Sequence, residues 1–252
     1  MSYNAYMFAD DILLLSLTIS DLRDLIYLCK DELRLLDMNL NIKKTTLIRV
    51  GDRCNAPVPP LKIENDTIVW SDQLKYLGVT LVKAKKFTCD LHPTKMKFFR
   101  SLNSVLAQVA SSSAVPLTLK IVFTNCTPVL LYGLEACKLL KTQVNSLTYP
   151  YSSVFYKLFN SFNVNVVRGA QFYCGYLPLA FALDLATFKF YFNLLADTSS
   201  PAGTLFRLFG RGEMTEILLR YSVPPNMEAD RLKSFFWESS AKLCEESGAI
   251  PI

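Results

Sequence analysis

The sequence contains a single histidine, His92, and no Cys-x-x-Cys pair, so it is poor in the donors from which structural zinc sites are built. Its seven cysteines (Cys29, Cys54, Cys89, Cys126, Cys137, Cys174 and Cys244) are scattered. An odd, scattered set is expected to remain as reduced thiols, which points to the cytoplasm or nucleus. Charge is scarce too: Asp, Glu, Lys and Arg make up 19% of the chain, and the net charge is only +5. Disordered chains combine low hydrophobicity with high net charge, so this composition excludes that class. Residues 1–6 show no basic stretch leading into an apolar run, so no secretory signal is expected. Long apolar runs are few. Residues 172–196 come closest, but Pro178, Asp184 and Lys189 interrupt them. A membrane span wants about 20 consecutive apolar residues, and charges inside one are costly. The stretch is therefore expected to be a buried core helix, with membrane contact as the alternative.

What the chain does have is apolar bulk, 51% of 252 residues. A chain of this size hides about 70–75% of its unfolded surface on folding, enough for one large domain or two smaller ones. The bases are unevenly placed. Lys83, Lys85, Lys86, Lys95, Lys97 and Arg100 fall within eighteen residues that hold one acid, Asp90. Such a cluster permits a polyanionic partner such as nucleic acid, and it is equally compatible with a solvated basic face.

Periodicity divides the chain near residue 90. Tyr6-Met7-Phe8 and the apolar run 12–15 flank Ala9-Asp10-Asp11, the pattern of two strands joined by a tight acidic turn. Ser20 is a candidate N-cap for a helix over 21–38, in which Leu22, Leu25, Ile26, Cys29, Leu33 and Leu36 recur at helical spacing. A strand is expected over 46–50. Asn65-Asp66 reads as a two-residue hairpin turn. A further strand is expected over 74–82 with Gly78 inside it. Beyond Pro93 the spacing turns helical. A serine-rich break at 111–113 precedes Pro116, which suits a helix start. Later helices are expected at 178–196, 213–221 and 227–246, separated by loops that contain Pro201 and Pro224-Pro225. The fold class is thus α+β: a strand-rich piece with one helix over 1–90, a helical region over 91–200 and a helical extension over 201–252.

Asp10 and Asp11 are the most informative pair for chemistry. Adjacent carboxylates between apolar strands are expensive unless something neutralises them, and Mg²⁺ is commonly held by one or two carboxylates together with substrate phosphates. In two-metal phosphoryl transfer such ions activate the attacking hydroxyl and steady the leaving oxygens. The alternative is a polar turn with no ligand.

The surrounding residues resemble a known family. Phe8-Ala9-Asp10-Asp11 followed by Ile12-Leu13-Leu14-Leu15 resembles the aromatic-Ala-Asp-Asp hairpin of reverse transcriptases, in the form found in non-LTR retrotransposons. Asn41-Ile42-Lys43-Lys44-Thr45 resembles the Asn-x-x-Lys-Thr segment that follows the hairpin and one helix in that family. Tyr76-Leu77-Gly78 resembles its primer-grip hairpin. Pro128-Val129-Leu130-Leu131-Tyr132-Gly133-Leu134-Glu135 is similar to a stretch beyond the primer grip in jockey-like elements. The four segments occur in the family's order, and the resemblance runs from about residue 6 to 180.

The resemblance implies an incomplete palm sheet followed by a helical thumb, acting on an RNA template and a DNA primer with Mg²⁺. Asp10 would be a ligand of the catalytic metals and Asp11 its less directly coordinated neighbour, with Phe8 supporting the hairpin from below. Lys44 would lie near the phosphates of the incoming nucleotide; the alternative is an exposed lysine beside a strand. Tyr76, Leu77 and Gly78 would touch the primer backbone, or simply pack as strand residues. Lys95, Lys97 and Arg100 would follow duplex phosphates. Tyr132 and Glu135 are expected in a buried helix–helix contact, His92 in a loop, and the aromatic stretch 181–192 in the core. Only seven residues precede Phe8. The family's further palm aspartate and its fingers are thus expected to be missing, and these residues alone are not expected to polymerise. The competing reading is a nucleic-acid-binding remnant without chemistry.

Overall fold

The structure, a computed structural model, describes residues 5–109, 115–224 and 229–249, with side chains described outside 229–232. The serine-rich break and the start of the expected 227–246 helix lie outside the described residues. The chain is α+β and divides into two compact units, Met1–Asp90 and Leu91–Ile252.

The first unit is built on three hairpins. β1 (Ala5–Phe8) pairs with β2 (Asp11–Leu14), β3 (Leu61–Ile63) with β4 (Asp66–Ile68), and β5 (Gln73–Tyr76) with β6 (Val79–Val82). All three pairs are antiparallel, and no ladder joins one hairpin to another among the described residues. Each turn has two residues, and the first has positive φ: Ala9 at 49°, Glu64 at 52° and Leu77 at 43°. Two-residue turns need this left-handed backbone to match strand twist. In the third turn Gly78 follows at φ 87°. The continuous strand expected over 74–82 is therefore corrected to a hairpin, with glycine supplying the second left-handed position.

Three other expectations are corrected here. The strand over 46–50 is instead a pair of isolated parallel bridges, Leu47 to Trp70 and Val50 to Ala84. The second hairpin turns at Glu64-Asn65, one residue earlier than Asn65-Asp66. The reason is helix α1 (Ile19–Leu35), which holds Glu64 from outside the hairpin. The Lys30 ammonium pairs with the Glu64 carboxylate, Arg34 reaches it at 3.4 Å, and the Glu64 N–H donates to Tyr27 Oη at 3.2 Å. The two cations hold the Glu64 carboxyl below its ordinary range, the Lys30 hydrogen bond first. The cap of α1 is Thr18 rather than Ser20: Thr18 Oγ1 accepts the Asp21 N–H at 3.1 Å. Ile26 and Leu33 are the buried residues of α1, and Ile26 meets Leu47, Leu61, Ile63 and Ile68 in a small core.

The second unit is helical. It comprises α2 (His92–Val109), α3 (Val115–Asn125), α4 (Thr127–Leu131), a 3-10 turn (Leu134–Ala136), α5 (Lys141–Leu158) and α6 (Val164–Tyr173). α7 (Leu179–Ala196), α8 (Pro201–Leu205), a π-helical turn (Phe206–Gly210), α9 (Arg211–Arg220) and α10 (Ala229–Glu246) follow. His92 opens α2 instead of lying in a loop, because Pro93 suits a first helical turn. Pro201 likewise opens α8, capped by Ser200 Oγ accepting the Gly203 N–H at 3.0 Å.

Two apolar clusters fill this unit. Phe98, Leu102, Leu119, Val122, Leu147, Val154 and Phe155 form the larger, and Leu185, Phe188, Ile217, Tyr221 and Phe236 the smaller. α7 serves both, through Leu179 and Leu183 on one side and Leu185 and Phe188 on the other. It is long and apolar enough to cross a membrane, with a mean hydropathy of 1.4. Its Asp184 is accommodated by two donors, the Arg220 guanidinium and Tyr221 Oη at 2.7 Å. Within 181–192, Leu183, Leu185 and Phe188 are buried, Phe181 and Tyr191 are half-buried against the smaller cluster, and Phe192 is exposed.

Candidate functional site

In the first hairpin Phe8 stands opposite Asp11, so Ala9 and Asp10 form the turn and Asp11 is the first residue of β2. Both aspartates are exposed. Phe8 does not lie beneath the turn in a core; it is 64% exposed, and Tyr6 and Met7 are exposed with it. The hairpin therefore presents two solvated carboxylates at its tip above an open apolar strand.

Lys44 is presented by a different device. The Asn41 side-chain oxygen accepts the Lys44 N–H at 3.2 Å, and its carbonyl accepts the N–H of Thr45 at 3.0 Å and the Thr45 hydroxyl at 2.9 Å. The Asn-x-x-Lys-Thr segment is thus a turn closed by its own first residue, with Lys44 projecting into solvent. At the third hairpin Tyr76 is half-buried at the end of β5, while Leu77 and Gly78 form the exposed tip. Among the described residues no hydrogen bond or ion pair joins the aspartates, Lys44 and this tip.

The basic cluster straddles the two units. Lys83 donates to Asp72 at 2.7 Å within the first, so part of its charge is met locally. Lys95, Lys97 and Arg100 lie in the opening turns of α2 in the second. Lys97 and Arg100, three residues apart, share an exposed face, whereas Lys95 is half-buried.

Tyr132 and Glu135 are not a buried helix–helix contact. Gly133, at φ 71°, breaks the helix between α4 and the 3-10 turn, which leaves Leu130 and Leu134 inside and turns Tyr132 outward. A feature not foreseen from sequence lies on α2 and α5, where the rings of Phe99, Tyr149, Tyr156 and Phe162 stand in a row. The seven-residue spacing of Tyr149 and Tyr156 is the one sequence signal that could have shown it.

Mg²⁺ asks for an octahedron of oxygens, commonly one or two carboxylates completed by water and substrate phosphates. Asp10 and Asp11 are donors of the right kind. Among the described residues, however, no group of three or more acids, cysteines or histidines could hold a metal. Two carboxylates without a third do not fit a two-metal centre. Comparison with known proteins finds no family model, no curated protein and no solved structure that matches this chain.

Proposed function

We propose that this chain carries the active-site end of the palm and the thumb of a reverse transcriptase from a jockey-like non-LTR retrotransposon. The observation that carries this reading is the first hairpin. Its aromatic-Ala-Asp-Asp residues form a two-residue turn that puts both carboxylates in solvent. The self-closed turn around Lys44 and the hairpin tip at Leu77-Gly78 support it, since both place the matching motifs at exposed positions.

In this reading Asp10 and Asp11 supply the negative charge that gathers Mg²⁺, and Lys44 offers a cation to nucleotide phosphates. Tyr76, Leu77 and Gly78 meet the primer backbone. Lys95, Lys97 and Arg100 contact duplex phosphates without reading sequence, so binding weakens steeply with salt. Two-metal polymerisation uses a further carboxylate besides Asp10 and Asp11.

The transcript upstream of Met1 tests the proposal. An in-frame palm strand bearing an aspartate is expected, and the chain lengthened to include it should extend a DNA primer on an RNA template with Mg²⁺. Asp10→Asn should abolish that extension. A lengthened chain indifferent to Asp10→Asn would sink the assignment. A second reading, nucleic-acid binding without chemistry, is supported by the basic cluster from Lys83 to Arg100. It requires salt-dependent binding that ignores both Mg²⁺ and Asp10→Asn.

A further inference from the structure

Charge along the chain is strongly segregated. Residues 91–183 hold one acid, Glu135, and eight lysines and arginines. Residues 1–90 hold twelve of each sign, and 184–252 hold nine acids and seven bases. All of the excess positive charge therefore belongs to the segment that builds the larger core of the second unit.

The surface of that segment also carries the row of rings. Phe99 on α2 meets Tyr149 on α5 at 6.4 Å between centroids, Tyr149 stacks with Tyr156 at 5.7 Å, and Tyr156 with Phe162 at 5.8 Å. The two stacked pairs are inclined by only 26° and 25°. Helical periodicity puts Tyr149 and Tyr156 on one face, and Phe162 continues the row just past the end of α5. Two of these rings are exposed, Phe162 at 78% and Tyr149 at 58%, while Phe99 and Tyr156 are half-buried against the larger core. Exposed rings joined by half-buried ones into a single row mark a place where something binds.

Cations run beside it. Lys157 follows Tyr156 in the chain, and its ammonium donates to Asn103 Oδ1 at 2.9 Å. Asn103 lies three residues beyond Arg100 and six beyond Lys97, on the exposed stripe of α2. The head of Lys157 thus joins a line with Arg100 and Lys97. None of the three is in an ion pair among the described residues.

We propose that this surface binds single-stranded nucleic acid, its bases stacking on the exposed rings of Tyr149 and Phe162 and its phosphates following the Lys97–Arg100–Lys157 edge. Every base has a π-face, so exposed rings beside cations grip a single strand whatever its sequence. A duplex keeps its base faces inside its own stack and can use only the cations. An acidic peptide could pair with the cations but would leave the rings unused. The proposal goes beyond the polymerase reading and does not rest on Asp10, Asp11 or a metal.

The test is fluorescence anisotropy of the full chain, without Mg²⁺, against labelled oligothymidylate, oligouridylate and a duplex of the same length. Both single strands should bind more tightly than the duplex. Phe162→Ala and Tyr149→Ala should each weaken single-strand binding about tenfold with an unchanged salt slope, as loss of one stacked base does. Arg100→Gln and Lys157→Gln should each reduce the salt slope by about 0.7. The exposure of Phe162 and Tyr149 leaves the core intact in the ring variants, and an unchanged helical circular dichroism melt verifies it. The proposal is overturned if folded ring variants bind the single strands as the parent does, or if the duplex binds equally well.

Discussion

The two units spend their apolar residues differently. In the second, each helix closes its own backbone hydrogen bonds and is free to bury a stripe against its neighbours. Phe98, Phe155 and Phe236 all end with almost no exposure. In the first, each two-stranded hairpin leaves unpaired edges, and only three or four residues per strand are available to bury anything. Its core is accordingly the small cluster around Ile63, while Tyr6, Met7 and Phe8 stay in water. Helices make a core from local geometry, whereas isolated hairpins need further partners to make one.

The largest expected effects probe the two cores directly. Phe155→Ala should cost about 3–5 kcal/mol, and Ile63→Ala about 2–5 kcal/mol. Urea titrations of each variant check this. A negligible loss for Ile63→Ala would mean that the hairpin unit has no core worth the name.

Next comes pH, which should act on the helical unit through its buried phenols. Burial pushes the hydroxyls of Tyr151, Tyr191 and Tyr221 up, helped by the neighbouring carboxylates at Tyr191 and Tyr221. A group raised in the folded state contributes its stability below its unfolded value. Thermal stability should therefore fall as pH rises above about 10. Replacing the three by Phe should flatten that alkaline limb.

Glu213 gives a smaller effect of opposite sign. The Tyr191 hydroxyl at 2.6 Å, and then Lys138 at 2.9 Å, hold its carboxyl below the ordinary range. Its contribution is present above the unfolded value of about 4.3 and is lost as pH falls through the folded one. Glu213→Gln should shallow the acid limb of a stability–pH profile.

Two substitutions at exposed turns of the first unit complete the series. Leu77→Asn should stabilise by about 0.5–1 kcal/mol, because a left-handed backbone at φ 43° is costly for leucine and Asn-Gly favours this turn. If it stabilises the fold and weakens nucleic-acid binding, leucine is retained there for contact. Asp10→Asn, at a solvated turn, should shift stability by no more than about 0.5 kcal/mol in chemical denaturation.

Legibility follows the range of the interaction. The turn at Ala9-Asp10 lies where the flanking apolar runs put it, because a two-residue turn and its strands are neighbours in sequence. The helix over 178–196 was readable apart from its first residue, since an apolar stretch of that length carries its own period. The second hairpin turns one residue earlier than its sequence suggests because Tyr27, Lys30 and Arg34, between 30 and 37 residues from Glu64 in sequence, decide which residue sits at its tip. The fold of 74–82 was misjudged because one glycine inside an apolar alternation serves a strand or a turn equally well.

Residues near in sequence determined the placement of helices, the acidic hairpin and the concentration of bases between 91 and 183. Those features depend on backbone periodicity and on counting. Only tertiary packing decided that Tyr132 faces water, that Asp184 finds Arg220 and Tyr221, and that Phe99 from α2 joins the rings of α5. Each of these depends on how one helix is rotated against another, and that rotation is set by the fit of many side chains at once.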